Sequence, residues 1–211
     1  MKRFILTRNI LQFREILHDG DLPLSERQHF GRLLADAQRE LALLDASATG
    51  ALSSPRWSET AKQEERIFEA EMRKVDAPCL IIDPRPGLHI IEVNGAYEIA
   101  TMTQGGRISG QRLFDIFPDN PTDMTASGVA NLFASLKIAG DSREPHAMAI
   151  QRYDIRDDHG TFVERYWQTR NIPLFRQNGE LAFLLHNAID VTGVVMSART
   201  SAPSYPDDSL R

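Results

Sequence analysis

Six histidines and a single cysteine are the residues of this 211-residue chain with the most chemistry to offer. Metal binding by imidazole calls for two or more histidines at helix or hairpin spacing, and no two of the six stand that way, so no metal site is expected. Cys79, inside the apolar run from Cys79 to Ile82, has the setting of a small buried hydrophobe. As the only cysteine it excludes an intramolecular disulfide and a Cys-rich zinc site. Enzyme motifs are missing: the sequence has no Gly-x-Ser-x-Gly turn, no glycine-rich phosphate loop ending in Lys-Ser or Lys-Thr, and no phospho-acceptor histidine on a recognisable helix. Asp119 and Asp123, beside Pro118 and Pro121, suggest a carboxylate pair, but a charged loop capping helix ends accounts for them more simply. A non-enzymatic role is the expectation.

Binding chemistry has better candidates. Arg152, Asn171 and His186 are polar positions in β-rich runs whose neighbours are largely apolar. Turned inward, they would orient a ligand in an apolar interior; turned outward, they would simply meet solvent, and alternation alone leaves both open. Tyr166 and Trp167 are adjacent, so one is expected to face the interior and the other the outside of a sheet. The inward member packs the core, and an outward aromatic would suit a partner-binding surface.

The elements that must position these residues follow from periodicity. Leu6, Ile10, Phe13 and Leu17 line one helix face, and Phe30, Leu33, Leu34, Ala37, Leu41 and Leu44 a second, predicting a helical hairpin over residues 1–46. Ser25 and Gln28 have capping-box spacing at the second helix start. The Ser-, Ala- and Gly-rich stretch 47–57 has linker composition, and 58–75 predicts a flanking helix with a thin apolar side of Phe68, Met72 and Val75, packed on its own domain or paired with a copy of itself. Cys79–Ile82 and Leu88–Val93 predict a strand hairpin closed by Asp83-Pro84-Arg85-Pro86-Gly87. Asn94 is placed to cap a helix over 95–103 that Gly105-Gly106 would end, and Val129, Leu132, Phe133 and Leu136 mark another helix. Strands are predicted over 147–155, 161–174 and 180–189, with Asp, Asn and Gly turns between them. The order describes an α+β unit, an antiparallel sheet with helices on one face. A disordered tail is expected over 196–211.

Charge and hydropathy exclude some partners. A net charge of −5, from 24 basic and 29 acidic residues, disfavours nucleic acid. The start of the chain has no signal-peptide apolar region, and no run is long enough to span a bilayer, so a cytoplasmic protein without a membrane partner is expected.

Val93-Asn94 ahead of a helix, Leu113 to Pro118 (LFDIFP), Arg152-Tyr153-Asp154, Glu164 to Trp167 (ERYW), Asn171-Ile172-Pro173, Asn178-Gly179 and the closing Asp190-Val191-Thr192 together resemble a PAS domain over residues 76–195, of the kind found in bacterial sensor histidine kinases. The resemblance implies a five-stranded antiparallel sheet and a sensory role in signal transduction. It also implies a joint at Asp190 and Thr192 that couples the last strand to an output helix, while the strand residues Arg152, Trp167, Asn171 and His186 are the expected lining of any ligand pocket. No kinase, cyclase or DNA-binding domain follows Thr192, so output is expected through another chain, such as a histidine kinase or a regulator, or through the N-terminal helices, with a homodimer the expected form. A flavin photosensor would carry its cysteine on a short helix rather than at Cys79, and a haem sensor an axial histidine on the long helix, where 125–139 holds none. Flavin and haem are therefore disfavoured, and a small organic ligand or an unoccupied adaptor or dimerisation module remain.

Overall fold

In a computed structural model, the described residues are 1–18, 22–47, 66–68, 70, 72 and 75–200. Helices α1 (Lys2–His18) and α2 (Leu24–Ser47) form the hairpin, and the contacts Lys2–Glu40, Arg3–Asp45 and Arg27 to the Leu17 carbonyl show that they run antiparallel. Leu6 and Ile10 of the first stripe bury against Ala37, with Phe13, Leu34, Leu41 and Leu44 around them. The second helix starts at Leu24, one residue before Ser25, with Arg27 N–H donating to the Pro23 carbonyl, so Ser25 sits inside the first turn and the capping-box expectation is corrected.

The sheet begins with β1 (Cys79–Ile82) and β2 (Ile90–Val93), antiparallel as expected. Asn94 caps α3 (Gly95–Thr101), its Oδ1 accepting from Tyr97 N–H at 2.9 Å. That helix ends earlier than expected, at Met102 in the left-handed conformation, and Gly105-Gly106 opens α4 (Gly105–Ile108) instead. After α5 (Leu113–Ile116), α6 (Gly128–Ser142) buries Val129, Leu132 and Leu136 on the sheet, the stripe read from sequence.

The strand predicted over 147–155 is in pieces. β3 (His146–Ala147) and β4 (Gln151–Arg152) both pair with the long strand, while β5 (Ile155–Arg156) leaves the sheet to pair with β6 (Phe162–Val163). The buried Asp154 carboxylate, held by Arg152, and the Tyr153 phenol turn this segment inward at the break. Two ten-residue strands, β7 (Tyr166–Phe175) and β8 (Leu181–Asp190), form the centre. Read across positions, the sheet order is β2-β1-β8-β7, with β3 and β4 sharing the last edge. In one register Thr169 faces Ala188, Asn171 faces His186 and Pro173 faces Leu184. Alternation sends this set and Trp167 to the helix-covered side. The last strand runs into α7 (Thr192–Thr200), so residues 196–200, expected in a disordered tail, are helical.

Two layers cover the sheet. On one face α3 to α6 build the main core, and α2 lies over them through Ala42 and Ala46, whose small side chains let it approach α6 closely. Arg39 reaches from α2 to the buried Asp119 at 2.8 Å, and Gly87 N–H donates to the Ala46 carbonyl. Gly87 is required there: its φ is +102° and an added Cβ would strike the His89 ring at 2.5 Å. On the other face Cys79, Ile81, Ala182 and Phe183 bury under Met72 and Phe68, with the Phe68 and Phe183 rings edge to face at 5.6 Å. Within the flanking-helix stretch 58–75, residues 66–68, 70 and 72 are helical, and Phe68 and Met72 lie on this chain's own sheet. The rest of that stretch apart from Val75, the 48–57 part of the linker, and residues 201–211 lie outside the described residues.

Candidate functional site

Between the sheet and its helices lies an interior cavity of about 30 Å³, walled by Tyr97, Phe117, Leu132, Tyr153, Trp167, Thr169 and His186 among others. Trp167 reaches it from β7, its indole N–H donating to the Tyr153 carbonyl at 2.8 Å. The Tyr153 phenol in turn donates to the Phe117 carbonyl at 2.5 Å, tying the broken edge to the end of α5. Burial pushes both Tyr97 and Tyr153 far above the ordinary phenol range, so both remain neutral hydroxyls.

The residues proposed from sequence are placed differently from one another. His186 and Trp167 wall the cavity. Asn171, with no exposed surface, stands one step behind, its Oδ1 at 2.7 Å from His186 Nδ1. Arg152 is elsewhere: its guanidinium grips Asp154 at 2.7 Å, lies near Asp123 and Glu164, and stays 40 % exposed. Its neighbour Gln151 faces the cavity instead, as strand alternation requires once β4 is in register with Trp167 and Tyr166. Burial raises the Asp154 carboxyl, but hydrogen bonds from Arg152 and Asn120 outweigh it and hold the group below its usual range. Arg152 is therefore a structural clamp on a buried carboxylate.

Tyr166 and Trp167 do take opposite sides, yet both are buried, at 7 % and 4 % exposed. The outward Tyr166 is covered by this chain's own α7, with the Arg199 guanidinium 4.7 Å from its ring. The joint at Asp190 and Thr192 is built of short polar contacts. Asp190 Oδ1 accepts from Thr192 N–H at 2.8 Å, Thr192 Oγ1 accepts from Tyr166 N–H at 2.9 Å, and Arg165 lies 3.4 Å from Asp190. The end of β8, the start of β7 and the start of α7 are thereby bound to one another.

Sequence reasoning missed a polar chain that continues from Asn171. Asn171 Nδ2 donates to Ser135 Oγ at 2.7 Å, and Ser135 Oγ meets His146 Nδ1 at 2.7 Å. Ser135 is 2 % exposed on α6, while His146 on β3 is partly exposed at the sheet edge. Thr169, one inward position from Asn171, has a buried hydroxyl with no partner among the described residues. Ser135 sits in the apolar stripe of α6 as one small polar residue, and only the distance to Asn171 singles it out. Burial holds the His186 imidazole down at about 4, so it is neutral at physiological pH. Among the described residues no cluster of three or more His, Cys, Asp or Glu could hold a metal ion, and no helix is long and apolar enough to cross a membrane.

The sheet order, with α3 to α6, the helices between β2 and β3, laid on one face, decides the fold. It is the fold of a PAS domain. No protein-family model and no curated protein sequence matches the chain. Solved structures of similar chain path include a LOV protein of Rhodobacter sphaeroides, at 12 % identity over 69 % of this chain and 75 % of that one, with a TM-score of 0.47. Another is a PAS domain from Colwellia psychrerythraea, at 16 % identity over 64 % of this chain and 98 % of that one, TM-score 0.43. The PAS domain of Bordetella pertussis BvgS is similar at 18 % identity over 65 % of this chain and 93 % of that one, TM-score 0.38. In this fold Cys79 points to the outer sheet face, under Met72, and its Sγ accepts from Asn187 Nδ2 at 3.6 Å.

Proposed function

We propose that this chain is a non-enzymatic signalling module of the PAS type that works by protein contact, its interior occupied by its own side chains. One observation carries the reading: the interior cavity measures about 30 Å³. Small-molecule pockets run to roughly 300–1,000 Å³, whereas a cavity of about 10–15 Å³ suffices for a single water. With Trp167, Tyr153 and Phe117 packed there, the volume left is too small for a flavin, a haem or a comparable organic ligand. Signalling then passes between elements bound to the sheet: the hairpin held by Arg39, the Phe68 and Met72 segment on the outer face, and α7 leaving from the Asp190–Thr192 joint with Val194 71 % exposed. The partner of this reading is a protein effector, such as a histidine kinase or a regulator, or a second copy of the chain, in the cytoplasm.

A sensor of a small ligand is the second reading, supported by the unpartnered Thr169 hydroxyl and by His186 on the cavity wall. Native mass spectrometry of the freshly purified chain, with an absorbance scan of the same sample, separates the two. The adaptor reading expects the mass of the bare polypeptide or its dimer and no visible band. Extra mass released on denaturation overturns it in favour of the sensor, and a visible band would bring haem or flavin back.

A further inference from the structure

The chain His146, Ser135, Asn171, His186 is a continuous hydrogen-bonded line from the sheet edge to the cavity wall, each link 2.7 Å. Every inner member is at most 4 % exposed, so water cannot substitute for a lost link at no cost. The line has a direction. As it stands, His186 Nδ1–H donates to Asn171 Oδ1, Asn171 Nδ2 donates to Ser135 Oγ, and the Ser135 hydroxyl proton is left to donate to a bare His146 Nδ1. With Nδ1 carrying the proton, the Nε2 of His186 is a bare acceptor, and Nδ1 being engaged with Asn171, the Nε2 edge is the one left for the cavity.

A charged His146 carries a proton on both nitrogens and cannot accept from Ser135. Reversal satisfies every member of the line again and keeps the Ser135 hydroxyl as its link. His146 Nδ1–H then donates to Ser135 Oγ, the hydroxyl donates to the Asn171 oxygen after the amide turns over, and the amide N–H₂ donates to His186 Nδ1. The single proton of His186 then resides on Nε2, facing the cavity as a donor. No group is gained or lost inside; only the polarity changes.

We propose that His146, through Ser135 and Asn171, sets the hydrogen-bonding polarity of the interior cavity: an acceptor at His186 while His146 is neutral, a donor once His146 is charged. Its occupant is a compact uncharged molecule, a water or a group of few atoms, held at His186. This holds whether the module is an adaptor or a sensor. The charged groups around His146 have partners or places of their own. On α6, Lys137 and Asp141 are paired with each other; Arg143, ahead of β3, bonds the Gly179 carbonyl. Glu144 stands two residues before it, Arg170 of β7 pairs with the next residue Ala147, and Arg152 of β4 is held by Asp154. None of these forms an ion pair with His146 among the described residues.

Long-range proton–nitrogen NMR of the histidine side chains in the labelled full chain tests this, from about pH 8 to about pH 5, across the ordinary histidine range. The expected result is that His186 exchanges tautomers, its Nδ1 and Nε2 swapping protonated and bare signatures, with the midpoint at which His146 titrates. His146→Gln should leave His186 in one tautomer throughout. Ser135→Ala should do the same while His146 still titrates; should that buried variant fail to fold, the partly exposed His146→Gln carries the test alone. A wild-type His186 that keeps one tautomer through the His146 titration overturns the proposal, as does an exchange that persists in His146→Gln.

Discussion

Asp119 is the residue whose loss should show how the helical hairpin is held. Its side chain, 2 % exposed, accepts from Arg39 Nε at 2.8 Å and from Val129 N–H at 3.0 Å, in the first turn of α6. Ser127, at the cap position of that helix, makes no side-chain cap bond, so Asp119 supplies it from ten residues away. A hydrogen bond to a charged group contributes roughly 1.5–3 kcal/mol and a helix cap about 1 kcal/mol. Arg39 is 23 % exposed and keeps Asp36 and the Ala126 carbonyl, so its share belongs at the lower end. Asp119→Ala should therefore cost about 2–3 kcal/mol. Asp119→Asn, which keeps an oxygen for Val129 but loses the charge, should cost about half of that, on the order of 1–1.5 kcal/mol. Urea unfolding measures both as shifts in midpoint at unchanged slope. A double-mutant cycle with Arg39→Met isolates the pair, with an expected coupling of about 1 kcal/mol. A coupling near zero, with Arg39→Met as stable as the parent, would refute the ion-pair account and leave the hairpin docked by Ala42 and Ala46 alone.

Other expectations follow from single contacts. His186, held near 4 in the fold against an ordinary 6.5, binds its proton more readily when unfolded. Its contribution to stability is present above about pH 6.5 and is lost as pH falls towards 4, a total on the order of 3 kcal/mol. Urea midpoints measured across that window should fall less steeply in His186→Gln than in the parent. Gly128→Ala would drive a Cβ to 2.6 Å from the Tyr153 ring, so despite alanine's better helix propensity it should lower the melting temperature, at a cost of about 1–3 kcal/mol. Phe183→Ala, removing a ring 2 % exposed that meets Phe68, should cost about 3–5 kcal/mol and speed proteolysis next to Met72. An unchanged digestion pattern would show that the outer face does not hold that segment.

Much of the architecture was legible because burial imposes a period on sequence. The stripes Leu6, Ile10, Phe13 and Val129, Leu132, Leu136 lie on the packed faces of their helices, and Asn94 caps as its type and place require. Local rules failed where a tertiary contact competes with them. Met102 ends α3 in a conformation usually left to glycine, with its N–H satisfied by Glu98 and Ile99, three residues before the expected stop. Ser25 was outranked by the earlier start at Leu24, and the edge strand breaks where Asp154 is pulled inward by Arg152 and Asn120.

Composition and periodicity by themselves determined an α+β unit with two N-terminal helices, a buried Cys79, and polar residues embedded in apolar strands. They could not say which of those polar residues faced inward, because a strand's parity is set by its neighbours. Pairing of Gln151 with Trp167 turned Arg152 out to its carboxylates, and pairing of Asn171 with His186 put both on the helix side. Nor does any local signal bring Ser135 and His146 to these two residues, since contacts between positions 11 to 36 residues apart exist only once the helix is laid across the sheet. The filled cavity likewise belongs to the packing: the volume left between Trp167, Tyr153 and Phe117 depends on how three distant segments meet, which no single segment encodes.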